Sequence, residues 1–342
     1  MISKEFGSDF HYYQSNVINA EYSIFNEEHL SLFLSGRAAL YNLLNYGIEK
    51  FGWCKVGFPS YYCHEVVDFC RNLPIEVDYY NYNPFIHRSL DWEDDEKSVF
   101  ISVNFFGISK LDTSFLKKSI IIEDITHNLL SFKTSSANYC FGSLRKQLPL
   151  PAGGFCYDPN KDLSVDLEVD NLSDKIVLQK LTAMLLKSKF LKDENIEKKM
   201  FRSLYIESEK LFELIKPDSA IPDILKKMIF QFNYKNLLEK TQSNIQLAKR
   251  KWRSNRKVKL LSSNQNSEMG LLLLCDNHKT RESLKGFLID SNIYPAILWP
   301  NQKTKKDRFF EQKMLFIHSD FRYDNEDVRF IIKQLNFFTA NV

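Results

Sequence analysis

Short apolar runs alternate with amphipathic stretches through the first half of the chain. Apolar positions with helical spacing follow Ser35, which predicts a helix that this serine caps, and they are Ala39, Leu40, Leu43, Leu44 and Ile48. Strand-like runs rich in β-branched and aromatic residues follow at 55–58, 76–80, 99–103 and 120–122. This alternation up to residue 154 predicts an α/β fold with a mainly parallel, doubly wound sheet.

The second half of the chain is first helical and then mixed. Helical spacing predicts helices over 175–216 and, as one long helix, over 224–252. Strand-like runs return at 257–261, 270–275, 296–299 and 314–318, and helices are predicted at 282–291 and 325–338. We therefore expect a large domain over residues 1–244 and a small α+β C-terminal domain over residues 245–342.

Composition and charge narrow the class of protein. The 342 residues are 44% apolar and 26% charged, as is typical of a globular protein, and 46 basic against 43 acidic residues give no nucleic-acid signature. The start of the chain has no apolar signal segment, and its apolar runs are too short for a membrane span. Six cysteines without a CxxC pair argue against a metal ribbon or a disulfide framework. These features predict a cytoplasmic protein that binds neither nucleic acid nor membrane.

The segment 120–154 contains the candidate chemistry. The strand-like isoleucine run is followed by Glu123 and Asp124, His127 lies three residues further on, and Lys146 lies 22 residues after Asp124. Open α/β sheets bind ligands at the carboxyl ends of their strands. A carboxylate and a lysine held apart by a second short strand are one way to supply the two protein groups of a pyridoxal phosphate site. There the lysine forms a Schiff base and the carboxylate keeps the pyridine nitrogen protonated.

The turn at Ser35-Gly36 is a second candidate. A serine-glycine turn before a helix leaves free N–H groups at the positive end of the helix dipole, where a phosphate can bind. Considered alone, this pattern more often indicates a simple helix cap. In the same way, a lone lysine is usually a surface residue and a lone histidine usually a buried structural one.

The order of these segments resembles a known family. The segments SGRAAL, FPSYYCHEV, VDYYN, NFFG, IIEDITHNL and SLRKQLPLPAGG resemble the DegT/StrS-type sugar aminotransferases, in particular a divergent branch of surface-polysaccharide gene sets with an SLRK motif. The resemblance covers most of residues 30–155 and continues more weakly at 294–300 and 316–323. It implies the pyridoxal-phosphate-dependent aspartate-aminotransferase fold (fold type I), with a large domain built on a mainly parallel sheet.

The resemblance also implies a role for each residue of the matching motifs. Lys146 would be the Schiff-base lysine, Asp124 would pair with the pyridinium nitrogen, and His127 would contact the cofactor ring or its hydroxyl. The cofactor phosphate would bind at Ser35, Gly36, Arg37 and Ser143. The aromatic side chain that stacks on the ring falls among Tyr61, Tyr62 and Cys63, and Tyr62 is taken as the candidate.

These roles predict an aminotransferase that acts on a nucleotide-linked keto-sugar in surface-polysaccharide biosynthesis, as a homodimer, with glutamate as the amino donor. Arg322 is a candidate clamp for the donor carboxylate, although a surface arginine in a turn is the simpler interpretation. Asn138 and Ala152 stand where this branch often has acidic residues, which leaves the substrate open. Another pyridoxal phosphate reaction, such as elimination, and a non-catalytic binding protein on the same fold remain alternatives.

Overall fold

The computed structural model describes residues 4–7, 9–13, 28–85, 90–231, 233–253, 255–263 and 268–341. The strands of this part are β1 Phe6–Gly7, β2 Leu30–Phe33, β3 Lys55–Pro59, β4 Glu76–Tyr80, β5 Ser98–Phe105, β6 Ser109–Lys110, β7 Ile120–Asp124, β8 Tyr139–Ser143, β9 Gly154–Tyr157, β10 Val258–Leu261, β11 Leu271–Cys275, β12 Ile293–Tyr294 and β13 Met314–Ile317. The helices are α1 Gly36–Phe51, α2 His64–Cys70, α3 Asn171–Phe190, α4 Lys198–Phe212, α5 Asp223–Gln231, α6 Tyr234–Lys251, α7 His278–Asp290, α8 Lys305–Glu311 and α9 Asn325–Ala340, with 3-10 turns at Leu129–Lys133 and Leu144–Lys146.

The large sheet has the strand order β2-β9-β8-β7-β5-β3-β4, and β6 pairs with the end of β5. Strands β4, β3, β5, β7 and β8 pair in parallel, whereas β9 runs antiparallel to both of its neighbours. All eight residues of β5 are buried, as expected for a central strand covered on both faces. The predicted α/β fold with a mainly parallel sheet is therefore confirmed. The segments that follow β3, β5, β7 and β8 meet at one edge of the sheet.

Helix α1 begins where the sequence predicts it. The Ser35 hydroxyl accepts a hydrogen bond from the Ala38 N–H at 3.1 Å, and Gly52 ends the helix in the left-handed conformation at φ 70°. The helix lies on β8 and β9. A Cβ atom at Gly154, the first residue of β9, would come within 2.2 Å of the Ser35 carbonyl carbon. Only glycine allows this approach, which fixes the start of α1 beside the end of β8.

A second core lies under a three-stranded antiparallel sheet of order β10-β11-β13. Helices α6, α7 and α9 contribute to this core, and β1 pairs in parallel with β12 beside it. Helix α6 belongs to both cores, since Leu237 and Leu238 pack into the large-domain core and Ile245 and Ala248 into the second one. The expected domain boundary between residues 244 and 245 falls where α6 passes from one core to the other. The division into domains stays a prediction.

Two local predictions are wrong. The stretch 224–252 forms two helices, α5 and α6, and the second starts at Asn233, whose side chain accepts a hydrogen bond from the Asn236 N–H. The stretch 296–299 is a loop with a single bridge from Ala296 to Phe316. Trp299 and Asn301 adopt positive φ angles of 51° and 67°, which a regular strand does not allow.

Among the helices of the described ranges, none has the length and apolar composition that crossing a membrane requires. The six cysteines are all free thiols, and four of them, Cys70, Cys140, Cys156 and Cys275, are buried.

Candidate functional site

The candidate residues lie at the carboxyl edge of the large sheet. Tyr62 follows β3, Phe106 follows β5, Asp124 ends β7, and Ser143 ends β8. These four strands are neighbours in the order β3-β5-β7-β8. The parallel pairing explains why residues far apart in sequence meet at this edge.

Asp124 is a buried carboxylate with both oxygens bound. Its Oδ2 accepts a hydrogen bond from the Tyr62 hydroxyl at 2.6 Å, and its Oδ1 accepts one from the Thr126 N–H at 2.9 Å. Burial raises the pKa of Asp124, although both hydrogen bonds oppose that change. The adjacent Glu123 is bound elsewhere, to Lys110 at 2.6 Å. Of the two adjacent acids, Glu123 and Asp124, it is therefore Asp124 that contacts the candidate site residues at the carboxyl edge of the sheet.

His127 is buried beside Asp124 in a defined protonation state. Its Nδ1 accepts a hydrogen bond from the Phe106 N–H at 3.2 Å, so the proton of the neutral ring lies on Nε2. Burial and the nearby charge of Lys146 lower the pKa of His127 to about 3. The indole ring of Trp299 lies 4.9 Å from the imidazole ring at an interplanar angle of 36°. His127 is therefore a neutral donor near neutral pH.

Lys146 lies on a loop that is tied to the same edge. Leu144 N–H donates to the Gly153 carbonyl at 3.0 Å, and the Gln147 side-chain amide donates to the Thr126 carbonyl at 2.6 Å. The charge of Arg145, followed by burial, lowers the pKa of Lys146. This shift increases the neutral fraction of the amine.

Lys146 is an exposed residue and lines a cleft formed by the lysine loop, helix α6 and the end of β13. The residues that line the cleft are Phe10, Lys146, Gln147, Leu238, Thr241, Met269, Phe316, His318 and Asp320. The cleft thus combines the lysine loop with side chains of the C-terminal half.

The candidate phosphate residues also meet. A Cβ atom at Gly36 would lie 3.0 Å from the Ser143 Cβ, so the start of α1 touches the end of β8. Arg37 donates from Nη2 to the Phe212 carbonyl, and its guanidinium lies 5.0 Å from the centre of the Phe69 ring. Its buried Nε has no partner among the described residues. Burial and the charge of Arg145 lower the pKa of Arg37, which indicates a locally positive site.

The stacking position stays open among the three sequence candidates. The Tyr61 hydroxyl donates to the Leu298 carbonyl at 3.4 Å, and the Tyr62 hydroxyl is bound to Asp124. Cys63 precedes α2, and burial raises the pKa of its thiol while the charge of Lys146 opposes the rise. Tyr62 therefore belongs to the site through Asp124, whichever residue stacks on a ligand.

Arg322 is not a surface residue. Its side chain is 3% exposed and forms a bidentate pair with Asp320, with Nε 2.8 Å from Oδ1 and Nη2 2.7 Å from Oδ2. The guanidinium also lies 4.4 Å from the centre of the Phe10 ring. As a carboxylate clamp it would have to exchange Asp320 for the ligand.

Three residues of the site were missed by sequence reasoning. Thr126 joins Asp124 to the lysine loop, since its Oγ1 also accepts a hydrogen bond from the Ser143 N–H at 3.1 Å. Its place between Asp124 and His127 was the available signal. Trp299 was predicted to lie in a strand, and Arg145 was given no role although it is part of the SLRK motif. No group of metal-ligating side chains occurs in the residues that the structure covers.

Comparisons with known proteins bear on the fold. No family description matches the chain, and no curated protein matches it. Among solved structures, the chain has the fold of sugar aminotransferases, as the sequence resemblance implied.

Three of these structures show the extent of the likeness. Spr1654 of Streptococcus pneumoniae, a proposed sugar aminotransferase solved in its PLP form, is 13% identical with a TM-score of 0.61, over 94% of this chain and 89% of its own. PseC of Helicobacter pylori, an aminotransferase of pseudoaminic acid biosynthesis, is 10% identical with a TM-score of 0.60, over 99% and 100% of the two chains. CalS13 of Micromonospora echinospora, a sugar aminotransferase, is 11% identical with a TM-score of 0.54, over 90% and 87%. At these identities the likeness establishes the fold.

Proposed function

We propose that this protein is a pyridoxal 5'-phosphate-dependent aminotransferase that acts on a nucleotide-linked keto-sugar. One observation carries the proposal: Asp124, His127 and Lys146 come together at the carboxyl edge of a sheet with the fold of sugar aminotransferases. Two of the similar structures support the sugar substrate. PseC is described as acting in pseudoaminic acid biosynthesis, and DesI, with a TM-score of 0.55 at 11% identity, was solved with its TDP-sugar product.

The residues at the site fit the cofactor. The start of α1 offers N–H groups at the positive end of its dipole, and the partnerless Arg37 Nε lies nearby, which suits a phosphate. Ser35, Gly36, Arg37 and Ser143 would hold that phosphate, and Asp124 would accept a hydrogen bond from the protonated ring nitrogen. When bound, the cofactor supplies an electron sink for the substrate carbon.

The protein residues contribute orientation and proton transfer. Lys146 is the residue that would bind the cofactor covalently and move the proton at the reacting carbon, for which its amine must be neutral. The charge of Arg145 and burial favour that neutral state by lowering the pKa of Lys146. His127, neutral and with Nε2–H free of the Phe106 contact, would donate a hydrogen bond to the ring hydroxyl. Trp299, whose ring packs against His127 at a tilt, would exclude water from this side.

The biological setting is part of the proposal. Glutamate would be the amino donor, and the product would serve surface-polysaccharide biosynthesis in the cytoplasm. We also propose a homodimer, because enzymes of this fold usually complete each site with a second subunit. Light scattering on the purified protein should give twice the mass of the 40.3 kDa chain, and a single-chain mass would contradict this part.

Absorbance tests the enzymatic proposal. The wild-type protein should gain visible absorbance with pyridoxal phosphate, Lys146→Ala should lose it, and a control at the exposed Lys175, Lys175→Ala, should keep it. Glutamate should then convert the spectrum to that of the pyridoxamine form. No absorbance in the wild type would contradict cofactor binding altogether. Absorbance that no amino acid changes would contradict transamination and favour elimination.

A further inference from the structure

A buried charged array follows strand β13 in the C-terminal half. Asp320 binds Arg322 through both oxygens, and its Oδ2 lies 3.3 Å from the Nδ1 of His318. The side chains of Arg322 and Asp320 are 3% and 5% exposed. A buried pair of this kind contributes little net stability, because desolvation offsets the attraction. Because stability does not explain this pair, its position beside the cleft indicates a role in ligand binding.

The array fixes the tautomer of His318. Burial alone would raise the pKa of Asp320, but the charge of Arg322 overrides it and keeps this carboxylate ionised. Burial, and then the charge of Arg322, lower the pKa of His318 in spite of the Asp320 contact. A neutral imidazole beside an ionised carboxylate carries its proton on Nδ1. The Nε2 atom of His318 is therefore a hydrogen-bond acceptor.

That acceptor has no partner within the described residues. The polar contact of the ring is the one to Asp320, and the apolar rings of Phe316 and Phe10 lie against it at 5.0 and 6.3 Å. The Nε2 atom of His318 is not fully buried and retains access to solvent. His318 and Asp320 line the same cleft as Lys146. A ligand that reaches Lys146 thus passes an acceptor that Asp320 holds in place.

We propose that His318 is a specificity residue that accepts a hydrogen bond from a hydroxyl group of the keto-sugar held at Lys146. This inference rests on the proposed function and deepens it. A hydroxyl group satisfies the acceptor, whereas a carboxylate or a carbonyl oxygen offers only lone pairs and would repel it. The array therefore favours a polyhydroxylated ketone over a 2-oxo acid in the acceptor half-reaction. Asp320 and Arg322 act through His318 as positioning residues.

Two substitutions of His318 distinguish the loss of the Nε2 acceptor from a general disturbance of the buried charged array. In His318→Asn the amide nitrogen can take the place of Nδ1 and keep the bond to Asp320, but the far acceptor is lost. In His318→Gln the longer side chain places an amide oxygen near the position of Nε2. His278→Asn, at an exposed position of α7, is the matched control. Thermal unfolding checks that each variant is folded.

The measurement uses the full-length protein in its pyridoxamine form, prepared with glutamate. The return of the pyridoxal spectrum is followed with TDP-linked 4-keto-6-deoxyglucose and other nucleotide-linked keto-hexoses, and separately with 2-oxoglutarate. The ratio of kcat/KM for the keto-sugar to kcat/KM for 2-oxoglutarate should fall about tenfold or more in His318→Asn, as expected for an unmet polar partner. The ratio should stay within about threefold of the wild type in His318→Gln and His278→Asn.

The outcomes separate this inference from the proposed function. Equal losses toward the keto-sugar and 2-oxoglutarate, or an unchanged ratio in His318→Asn, would overturn the role of His318 and leave the aminotransferase proposal in place. Conversion by glutamate without turnover of any keto-hexose would overturn the substrate class. Failure of glutamate to convert the wild-type cofactor would instead contradict the proposed function itself.

Discussion

At the scale of single residues, the site is a set of charges arranged around Lys146. Arg145 and Lys146 are adjacent, and the charge of Arg145 is the largest influence that lowers the pKa of the lysine. Arg145 itself is held by Glu209, with Nη1 3.0 Å from Oε1, and its guanidinium lies 4.8 Å from the centre of the Phe212 ring. Lys180 shares the same Glu209 oxygen. The arrangement keeps a fixed cation beside the Lys146 amine, which in the proposed function must lose its proton.

The Arg145→Met substitution tests this effect. Removing the charge should raise the pKa of Lys146, and the Glu209 carboxylate, which stays paired with Lys180, acts in the same direction. The neutral amine should then be scarcer at pH 7, and uptake of pyridoxal phosphate by the cofactor-free protein should slow by about tenfold for each unit of pKa. The pH at which uptake is half-maximal should move upward. Arg202→Met, at an exposed position of α4, should leave it unchanged. An unmoved midpoint in Arg145→Met would contradict the role of Arg145.

At the scale of elements, the site depends on where α1 starts. The close approach of Gly154 to Ser35 and of Gly36 to Ser143 presses the first turn of α1 against β8 and β9. The lysine loop follows β8 and is fastened by Thr126 and Gly153. The proposed phosphate site and Lys146 therefore share one rigid support.

Substitution of Gly154 tests that support. In Gly154→Ala the added methyl group would lie 2.2 Å from the Ser35 carbonyl carbon and 2.4 Å from the Gly36 nitrogen, so the backbone must shift. We expect a loss of about 3 kcal/mol in the free energy of unfolding, measured with urea, and weaker cofactor binding. Gly286→Ala in α7 has no atom within 4 Å of its Cβ and should be neutral or stabilising by up to about 1 kcal/mol. Equal effects of the two substitutions would contradict the close contact.

At the scale of the whole molecule, Gly7, Asp9 and Phe10 of the N-terminal stretch contact residues 320–323 beside the cleft. Gly7 N–H donates to the Tyr323 hydroxyl at 2.6 Å, and Arg322 donates to the Asp9 carbonyl at 3.3 Å. Phe10, from the same N-terminal stretch, lines the cleft. The N-terminal residues thus contribute to the wall that faces Lys146.

The Tyr323→Phe substitution should weaken the attachment of the N-terminal stretch. The buried N–H of Gly7 would lose its acceptor, which should cost about 1–3 kcal/mol in the free energy of unfolding. Urea unfolding measures the loss, and limited proteolysis should cut the N-terminal stretch sooner. Tyr46→Phe removes a hydroxyl that contacts Lys50 at the surface and should change little. A Tyr323→Phe protein as stable as the wild type would show that the hydrogen bond does not fasten the N-terminal residues.

The sequence predicted those parts of the molecule whose signals are local. The isoleucine run of β7 and the Ser35 cap of α1 are patterns of adjacent residues, and the structure has the predicted fold. Asp124 and Lys146 were selected from two motifs 22 residues apart, and their roles stay predictions. The Trp299 loop was missed because its positive φ angle depends on packing against His127 and Phe106 from the other half of the chain. The pairing of Arg322 with Asp320 was missed because nothing in a short motif shows that both side chains are buried.

Locating the lysine that binds the cofactor tests the aminotransferase proposal without an assumed substrate. Burial lowers the pKa of both Lys180 and Lys187 to about 8, so these two amines are the comparison for a specific reaction at Lys146. The protein loaded with pyridoxal phosphate is reduced with borohydride and digested, and the modified peptide is identified by mass spectrometry. We expect one pyridoxyl group, on Lys146. A group on Lys180 or Lys187, or no modified peptide at all, would contradict this expectation.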